Sequence, residues 1–579
     1  MGAELKIQAV RGEEFPRDYT RGVTDFGDWG QLEPLLAGLA DQVAAIQTAE
    51  ELGQWLLRES ELDSAIDEEY TRRYIAMTCA TDDKEREQVY LHFLENILPR
   101  LKPWHDKLAR LYLACPARQR LERSRAEVMD RRLQNEVELY RDENVPIETE
   151  VAKLGQQYQK IMGAMTVNWR GQERTLQQMA PFLEELDRPV REEAWRAIAE
   201  RRLADRVQLE KLFDHMVKLR TRIAANAGFK NFRDYQHRAM GRFDYTPADA
   251  IRFQESIEAE VVPLLARERE KRRKQLDVPT LRPWDLDVDP EGAPPLKPFS
   301  TADELMAGCD EIFRRVSPDL ADQFGDMRRR GLLDLDSRIG KAPGGYQSTL
   351  DEVRLPFIFM NAAGTQRDVF TLLHEGGHAF HAYASRTDPW LAYRSAPLEF
   401  SEVASMSMEL FSAGHMDVFF KNSEDAKRAR RKHIQDIVRI FPWIATVDAF
   451  QHWIYLNPGS DPAMRDAKFL ELERRFSPGV DWSGLDREHD TAWHRQLHIF
   501  EVPFYYIEYG IAQLGALQLW VRFMDDPRGA IEGYRRALAL GGSRPLPELF
   551  AAAGIRFDFS PDTLRPAIQA VSRELEKLE

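Results

Sequence analysis

Two histidines and a glutamate in the segment TLLHEGGHAFH, residues 371–381, have the spacing of a metal site with an adjacent base. His374 and His378 are four residues apart, so on a helix both side chains point the same way and can bind one Zn²⁺ ion. Glu375 is offset by about 100° around the helix, which places it beside the histidine pair. There it can accept a proton from a water molecule on the metal without binding the metal itself. The segment therefore predicts metal-dependent hydrolysis.

The alternative to a metal site is a helix with buried structural histidines. Three other residues of this segment bear on that choice. Gly376 and Gly377 each weaken a helix interior by about 1 kcal/mol relative to alanine. We interpret them as positions where another backbone or a substrate approaches the helix closely. His381 lies three residues after His378, on the same helix face. Binding the metal from there requires a distorted helix, so we predict a supporting or packing role for His381.

The third metal ligand must come from another segment, and SAPLEFSEVASMSMELFS, residues 395–412, supplies acidic candidates on a predicted helix. Glu402 lies three residues after Glu399 and seven before Glu409, so it can share a helix face with either neighbour. A carboxylate added to two imidazoles leaves the fourth tetrahedral position for water. Spacing alone does not choose among the three glutamates, and at least one of them is expected to be an ordinary helix-surface residue.

Helical periodicity dominates the elements that must position these residues. Residues 52–77 and 151–169 repeat apolar side chains at intervals of three and four, with charges between them. Residues 276–299 hold six prolines and predict a long loop between helical blocks. RLPFIFMN, residues 354–361, is a short apolar run next to glycine-rich turns and predicts a strand just before the histidine segment.

Composition excludes several function classes. The 579 residues carry a formal net charge of −15, which argues against nucleic-acid binding and against anionic membrane surfaces. No run of about 18 uncharged apolar residues predicts a membrane span, and the first residues lack the apolar core of a signal peptide and the myristoylation pattern. The three cysteines lie far apart without a CxxC pair, which favours a reducing compartment. We expect a cytoplasmic protein.

Four stretches, taken in order, resemble the zinc oligopeptidases related to oligoendopeptidase F and thimet oligopeptidase. They are GKAPGGYQ, PFIFMNAAGTQRDVFTLLHEGGHAFH, EFSEVASMSMEL and HIFEVPFYYIEYGIAQLGALQ. The sequence PFYYIEY in the last stretch resembles oligoendopeptidase F more closely than thimet oligopeptidase. The resemblance implies one Zn²⁺ per chain, held by His374, His378 and Glu402, with Glu375 as the catalytic base. It also implies that Glu409 is a supporting residue near the ligands.

The same resemblance gives a role to an aromatic cluster near the C-terminus. His498, Tyr505, Tyr506 and Tyr509 would otherwise be read as core packing. Relatives use a histidine and tyrosines here for substrate and oxyanion contacts, so His498, Tyr505 and Tyr509 are predicted catalytic residues and Tyr506 a substrate-binding residue. The spacing between the histidine and the tyrosines differs from that of thimet oligopeptidase, so the main oxyanion donor is left open.

The segments KAPGGYQ and PFIFMN resemble the glycine-rich loop of the family and the strand that pairs with the substrate backbone. Gly344, Gly345 and Tyr346 are therefore predicted to bind substrate. Glycines allow two backbones to approach closely, and an extended peptide can add to the edge of a sheet. An ordinary turn is an equally good explanation of these three residues.

The resemblance implies a mainly α-helical fold, with two helical lobes flanking a deep substrate channel and a small β-sheet next to the zinc site. Residues 1–190 would form an N-terminal helical lobe and residues 191–579 the catalytic region, with the lobes interleaved in space. The implied function is zinc-dependent hydrolysis of internal peptide bonds in short unfolded oligopeptides. The alternatives are a zinc carboxypeptidase or dipeptidase on the same fold, and a non-catalytic peptide-binding protein. Oligopeptides are the expected partners, without nucleic acid or membrane.

Overall fold

The computed structural model describes residues 14–338, 340–342 and 344–579, and most of them are helical. In chain order the first elements are α1 (Trp29–Val43), α2 (Ala49–Cys79), α3 (Lys84–Asn96), α4 (Leu98–Ala114), α5 (Arg123–Leu139), α6 (Val145–Gly163), β1 (Thr166–Trp169), β2 (Gln172–Thr175), α7 (Leu176–Met179), α8 (Arg188–Ala204), α9 (Arg206–Asn226), α10 (Phe232–Ala239), α11 (Pro247–Glu260) and α12 (Val262–Gln275).

The remaining elements include the predicted strand and the two predicted site helices. They are α13 (Ala302–Val316), α14 (Pro318–Arg330), β3 (Leu333–Asp336), β4 (Tyr346–Leu350), β5 (Leu355–Ala362), α15 (Gln366–Ser385), α16 (Leu391–Arg394), α17 (Leu398–Ser412), α18 (Ser423–Leu456), α19 (Pro462–Phe476), α20 (Asp486–Asp490), α21 (Leu497–Glu501), α22 (Tyr506–Asp525), α23 (Pro527–Leu538), α24 (Leu546–Ala553) and α25 (Pro561–Lys577).

The chain divides into two compact units, each built from three segments. The first unit comprises the described residues within Met1–Glu138, Leu296–Arg430 and Ala512–Phe557, and the second comprises Leu139–Pro295, Arg431–Ile511 and Asp558–Glu579. The boundary predicted at residue 190, the two lobes and the substrate channel stay predictions. Within the described residues, every helix is too short or too polar to cross a bilayer.

The first unit contains a three-stranded sheet beside helix α15. Its strand order is β3-β5-β4, with β5 parallel to β3 and antiparallel to β4. The central strand β5 is buried from Leu355 to Met360, because the helices cover it and the apolar sequence LPFIFM tolerates burial on both faces. The mainly α class, with a small sheet next to the HEGGH helix, is therefore confirmed.

In the second unit, one helix ends earlier than the sequence predicts. Helix α6 stops at Gly163, and Thr166–Trp169 forms strand β1 of a hairpin with β2. Gly171 has a φ of 82°, a left-handed conformation that allows the tight turn between the strands. Valine and tryptophan in this segment favour a pleated strand, and Trp169 packs in a small apolar core with Met179 and Ile198. The helix predicted over residues 151–169 was wrong in its last six residues.

The proline-rich segment 276–299 is confirmed as a loop. Within it the structure contains only the short 3-10 helix Pro283–Asp285. Asp285 is fully buried and its carboxylate accepts hydrogen bonds from Arg188 and Arg191. These ion pairs attach the loop to helix α8 inside the second unit, and buried charges of this kind persist only when they are paired.

Candidate metal centre

Helix α15 begins at a capping box that fixes where the histidines lie along it. The hydroxyl of Thr365 accepts a hydrogen bond from the backbone N–H of Asp368 at 3.3 Å, and the Asp368 carboxylate accepts one from the backbone N–H of Thr365 at 2.8 Å. Such reciprocal bonds satisfy the donors that the first helical turn leaves unpaired. The helix then continues through His374 and His378 to Ser385, as the sequence predicts.

The two glycines of α15 allow close packing against neighbouring elements of the first unit. A Cβ atom at Gly377 would lie 2.5 Å from the Cα atom of Ser405 and 2.7 Å from the carbonyl oxygen of Ala404 on α17. A Cβ atom at Gly376 would lie 2.7 Å from the ring of Phe313. The prediction that another backbone approaches the helix is confirmed at Gly377, and at Gly376 the neighbour is an aromatic ring.

This close approach brings the predicted ligands together. One ligand atom each from His374, His378 and Glu402 lies within 4.8 Å of the other two. The Glu402 Oε2 atom is 3.4 Å from Nε2 of His374 and 3.6 Å from Nε2 of His378. Two imidazole nitrogens and one carboxylate oxygen are a donor set that suits zinc with a fourth position left open. Glu399, the open alternative, is buried but does not belong to this group.

Two further side chains orient the ligands. Nδ1 of His374 donates a hydrogen bond to Oε1 of Glu409 at 2.7 Å, which leaves Nε2 of the ring for a metal ion. The hydroxyl of Ser405 donates to Oε2 of Glu402 at 3.0 Å. The supporting position of Glu409 agrees with the family resemblance. Ser405 was missed, although its position three residues after Glu402 on one helix signals such a contact.

Burial and the neighbouring charges set the protonation of the three ligands. Burial lowers the pKa of His374, but hydrogen bonds to Glu402 and Glu409 reverse this and hold the pKa well above its usual range. Burial lowers the pKa of His378 to about 4. Burial also raises the pKa of Glu402, yet the two histidines bring it down to about 2. At neutral pH Glu402 is ionised and His378 neutral, as metal binding requires, and His374 must release a proton.

Glu375 lies beside the ligands with its side chain 8% exposed. Burial raises the pKa of its carboxyl to about 7, while the charge of His374 and the backbone N–H of Gln347 on strand β4 oppose this. A carboxyl with a pKa near neutrality can both accept and return a proton at working pH. These features fit a general base and are not those of a surface glutamate.

His381 has the packing role that the sequence predicts. Its side chain is 5% exposed and its ring meets the ring of Phe400 edge-on, with the centroids 6.2 Å apart. Burial lowers the pKa of His381 to about 3, so the ring stays neutral. It does not belong to the metal-ligating group of the described residues.

The predicted substrate-binding segment leads into strand β4. Gly344 has a φ of 97°, which L side chains rarely adopt, and its carbonyl oxygen accepts a hydrogen bond from Asn361. The ring of Tyr346 stacks on Phe359 at 4.8 Å, and its hydroxyl is 2.6 Å from the hydroxyl of Thr78. These contacts give Tyr346 a packing role, and substrate binding by Gly344, Gly345 and Tyr346 stays a prediction.

His498 and the three tyrosines form one aromatic cluster in the second unit. The centroid of the His498 ring is 5.8 Å from Tyr505, 4.8 Å from Tyr506 and 5.8 Å from Tyr509. Tyr505 and Tyr509 are four residues apart, a spacing that would place them on one helix face, but they do not share a helix, because α22 begins at Tyr506 and Tyr505 lies in the preceding turn. Their rings still meet, with centroids 5.3 Å apart.

The turn before α22 is held by buried polar groups that the sequence analysis missed. Phe504 has a φ of 68°, a strained conformation for a residue with a side chain. Its backbone N–H donates to Gln451 at 2.8 Å, and its carbonyl oxygen accepts a hydrogen bond from Arg242. Arg242 also pairs with Glu508 at 2.7 Å, with both side chains 2% exposed. A glutamate inside the apolar run YYIEYGIA is the only signal of this arrangement.

Comparison with known proteins extends these observations to the whole chain. A model of peptidase family M3 matches residues 182–566, and a model of the peptidase M3 N-terminal domain matches residues 26–140. Oligopeptidase PepF of Bacillus subtilis is 24% identical over 329 residues, which are 55% of this chain and 47% of that protein. An oligoendopeptidase F homolog of Borreliella burgdorferi is 26% identical over 306 residues, 50% of this chain and 49% of that protein.

The match thus spans about half the length of these curated relatives, whereas a solved structure matches over almost its whole length. The structure of PZ peptidase A with inhibitor 2 aligns with a TM-score of 0.89 at 30% identity, and the alignment covers 97% of this chain and 99% of the peptidase chain. The resemblance noted from the four sequence stretches is confirmed. Because the family model matches more than half of the sequence, the chain belongs to peptidase family M3.

Proposed function

We propose that this protein is a zinc-dependent endopeptidase that cleaves internal peptide bonds of short unfolded oligopeptides. The observation that carries this proposal is the convergence of His374, His378 and Glu402, with their ligand atoms within 4.8 Å of one another. Glu375 lies next to this group on the same helix, where a base is needed. The oligopeptidase names of the relatives support the substrate class.

His374, His378 and Glu402 would hold the zinc ion. When bound, zinc supplies a Lewis acid that acidifies water and polarises a peptide carbonyl group. The Glu375 carboxylate accepts the proton of the attacking water and delivers it to the nitrogen of the departing amine. Glu409 keeps the His374 ring in the orientation that presents Nε2, and Ser405 keeps the Glu402 carboxylate in place.

The aromatic cluster of His498, Tyr505, Tyr506 and Tyr509 has the groups that stabilise a developing oxyanion. Phenol hydroxyls and an imidazole N–H are hydrogen-bond donors, and each such donor contributes about 2.7–4 kcal/mol where it is aimed at the reacting oxygen. We assign this role to His498, Tyr505 and Tyr509, and a substrate contact to Tyr506. The family resemblance supports the assignment, together with the common clustering of the four rings.

Strand β4 is the proposed docking edge for the substrate backbone. It is one of the two outer strands of the described sheet, whereas the predicted substrate strand PFIFMN is the central strand β5, whose edges are paired with β3 and β4. Gln347 of β4 lies close enough to Glu375 to influence the pKa of that base. An extended peptide that adds to β4 would therefore pass next to the base. The glycines at 344 and 345 would allow its close approach. We also propose a reducing compartment, the cytoplasm, since all three cysteines are free thiols.

Paired isosteric substitutions test the metal centre. Glu375→Gln is expected to keep its zinc but lose about 10²- to 10⁴-fold in kcat on a peptide substrate, since only the base is removed. Glu402→Gln is expected to lose zinc, and Glu399→Gln, a matched change on the same helix, to retain it. Zinc content and peptide cleavage are measured on the same samples. Wild-type turnover by the Glu375→Gln variant would refute the assigned base.

A further inference from the structure

The indole of Trp443 fixes the orientation of the Gln496 side chain in the second unit. Nε1 of Trp443 lies 2.9 Å from Oε1 of Gln496. An indole N–H can only donate a hydrogen bond, so its partner must be the amide oxygen of the glutamine. Which end of a glutamine amide is oxygen is normally inferred from its partners, and here a partner with a single possible role decides it. The NH₂ group of Gln496 therefore points the other way.

That NH₂ group lies against the His498 ring. Nε2 of Gln496 is 2.7 Å from Nδ1 of His498. An amide NH₂ can only donate, so Nδ1 must accept and cannot carry a proton. In a neutral imidazole the proton is then on Nε2. Adding a second proton at Nδ1 would set two donors against each other, which disfavours the imidazolium form.

The remaining neighbours of His498 also keep the ring neutral. The rings of Tyr505, Tyr506 and Tyr509 surround it, and burial lowers the pKa of His498 to about 4. Phenols are uncharged at neutral pH. Arg495 and Glu501, each three residues away, are the nearest charged residues along the chain. The Arg495 guanidinium packs over the Trp443 ring, 5.3 Å from its centroid, and the Glu501 carboxylate accepts a hydrogen bond from Gln159.

We infer that Gln496, oriented by Trp443, is a positioning residue that holds His498 as the neutral Nε2–H tautomer. His498 then acts as a hydrogen-bond donor to the peptide carbonyl oxygen and does not carry protons during turnover. The tautomer follows from the contacts of the second unit alone. Its use on a carbonyl oxygen rests on the proposed peptidase function, so the two parts need separate measurements.

Nitrogen NMR of the full-length protein with ¹⁵N-labelled histidine tests the tautomer. The chain has 13 histidines, and the His498 signals are those that disappear in the His498→Gln variant. At pH 7 we expect Nδ1 of His498 to be unprotonated and Nε2 to be protonated. In Gln496→Glu the carboxylate accepts a hydrogen bond, so the proton should move to Nδ1 and the pKa of His498 should rise. A proton on Nδ1 in the wild-type protein would overturn the inference.

Trp443→Phe provides a second perturbation, because it removes the indole donor and leaves the glutamine in place. The Gln496 amide can then rotate, and we expect the His498 signals to shift towards a mixture of the two tautomers. Unchanged His498 signals in both Trp443→Phe and Gln496→Glu would show that these side chains do not set the tautomer. Circular dichroism and thermal unfolding, which report on both units, check that each variant is folded.

Peptide cleavage by the same variants tests the functional part. Gln496→Glu is expected to lower kcat about 10²-fold, as removal of an oxyanion donor does, with a KM within about threefold of wild type. The Gln496→Met variant, which keeps the length of the side chain without its hydrogen bonds, should lose less. A Gln496→Glu variant that has switched tautomer and still turns over like wild type contradicts the donor role. A wild-type protein that shows the Nε2–H tautomer but cleaves no peptide contradicts the proposed function and leaves the tautomer assignment standing.

Discussion

At the scale of single residues, the hydrogen bond from Nδ1 of His374 to Glu409 decides which ring nitrogen faces the other ligands. The two atoms are 2.7 Å apart, and Nε2 of the same ring is 3.4 Å from the Glu402 carboxylate. A ligating histidine is more basic and better oriented when a carboxylate accepts its other N–H. Glu409 should therefore contribute to metal affinity without touching the metal.

Substitution of Glu409 measures that contribution. Glu409→Gln keeps an acceptor for the Nδ1 hydrogen but removes the charge, whereas Glu409→Ala removes both. We expect zinc affinity to fall about 10-fold in the first variant and about 100-fold in the second. Zinc dissociation constants from chelator competition give both values. Glu424→Gln, an exposed glutamate at the start of α18, is the control and should bind zinc like wild type. Equal affinity of Glu409→Ala and wild type would show that the hydrogen bond is incidental.

Sequence reasoning at this scale succeeded where one helix determines the geometry. The spacing of His374 and His378 follows from 3.6 residues per turn, so their shared face was predictable. The choice of Glu402 over Glu399 depends on how α17 lies against α15, which no local pattern encodes. The contact from Gln496 to His498 was missed for a different reason, since the role of the glutamine appears only once the indole of a distant helix is beside it.

At the scale of elements, the distance between α15 and α17 holds the ligands in reach of one another. Gly377 permits that distance, because any side chain there would meet the backbone of Ser405 and Ala404. Backbone atoms cannot rotate away as a flexible side chain can, so the helices would have to separate. Separation would move Glu402 away from the histidines, and stability and metal affinity should therefore decline together.

Gly377→Ala tests this packing against a matched glycine. We expect the variant to lose about 1–3 kcal/mol in the free energy of unfolding, as overpacked cores do, and to bind zinc more weakly. Gly53, inside helix α2, has no neighbouring atom within 4 Å of a built Cβ. Gly53→Ala should stabilise the protein by about 0.5–1 kcal/mol and leave zinc binding unchanged. Denaturant unfolding of the metal-free proteins and zinc titration provide the data. A Gly377→Ala variant as stable as Gly53→Ala would contradict the close approach.

Elements were predictable where hydrophobic periodicity was long and turns were marked by glycine or proline. Helices α15 and α17 satisfy these conditions, and strand β5 is marked by a short apolar run beside glycine-rich turns. The positions of all three agree with the sequence prediction. The hairpin β1–β2 was not predicted, because four-residue strands are too short to show a period of two. The turn at Phe504 was not predicted, because no local sequence pattern indicates a φ of 68° for a phenylalanine. Distant partners, Gln451 and Arg242, hold that conformation.

At the scale of the whole molecule, the position of the cleaved bond separates the proposed endopeptidase from its alternatives. The carboxylates of Glu375, Glu402 and Glu409 lie at the metal centre of a chain of net charge −15, but a bound divalent cation would offset them, so their charge does not select among peptide substrates. A carboxypeptidase or dipeptidase needs a group that captures a chain terminus, whereas an endopeptidase binds an internal stretch of backbone. Cleavage products therefore decide between these activities.

A peptide blocked at both ends separates these activities. We expect an oligopeptide with an acetylated N-terminus and an amidated C-terminus to be cleaved with a kcat/KM within about tenfold of the same peptide with free ends, because backbone contacts supply most of the binding. Mass spectrometry of the products identifies the cleaved bond, and the zinc-bound Glu375→Gln variant is the control for a contaminating protease. Cleavage of the free peptide alone, with release of one or two residues from an end, would instead identify an exopeptidase. The metal centre would keep its assigned chemistry in that case, and the substrate assignment to β4 would have to include a group that captures a chain terminus.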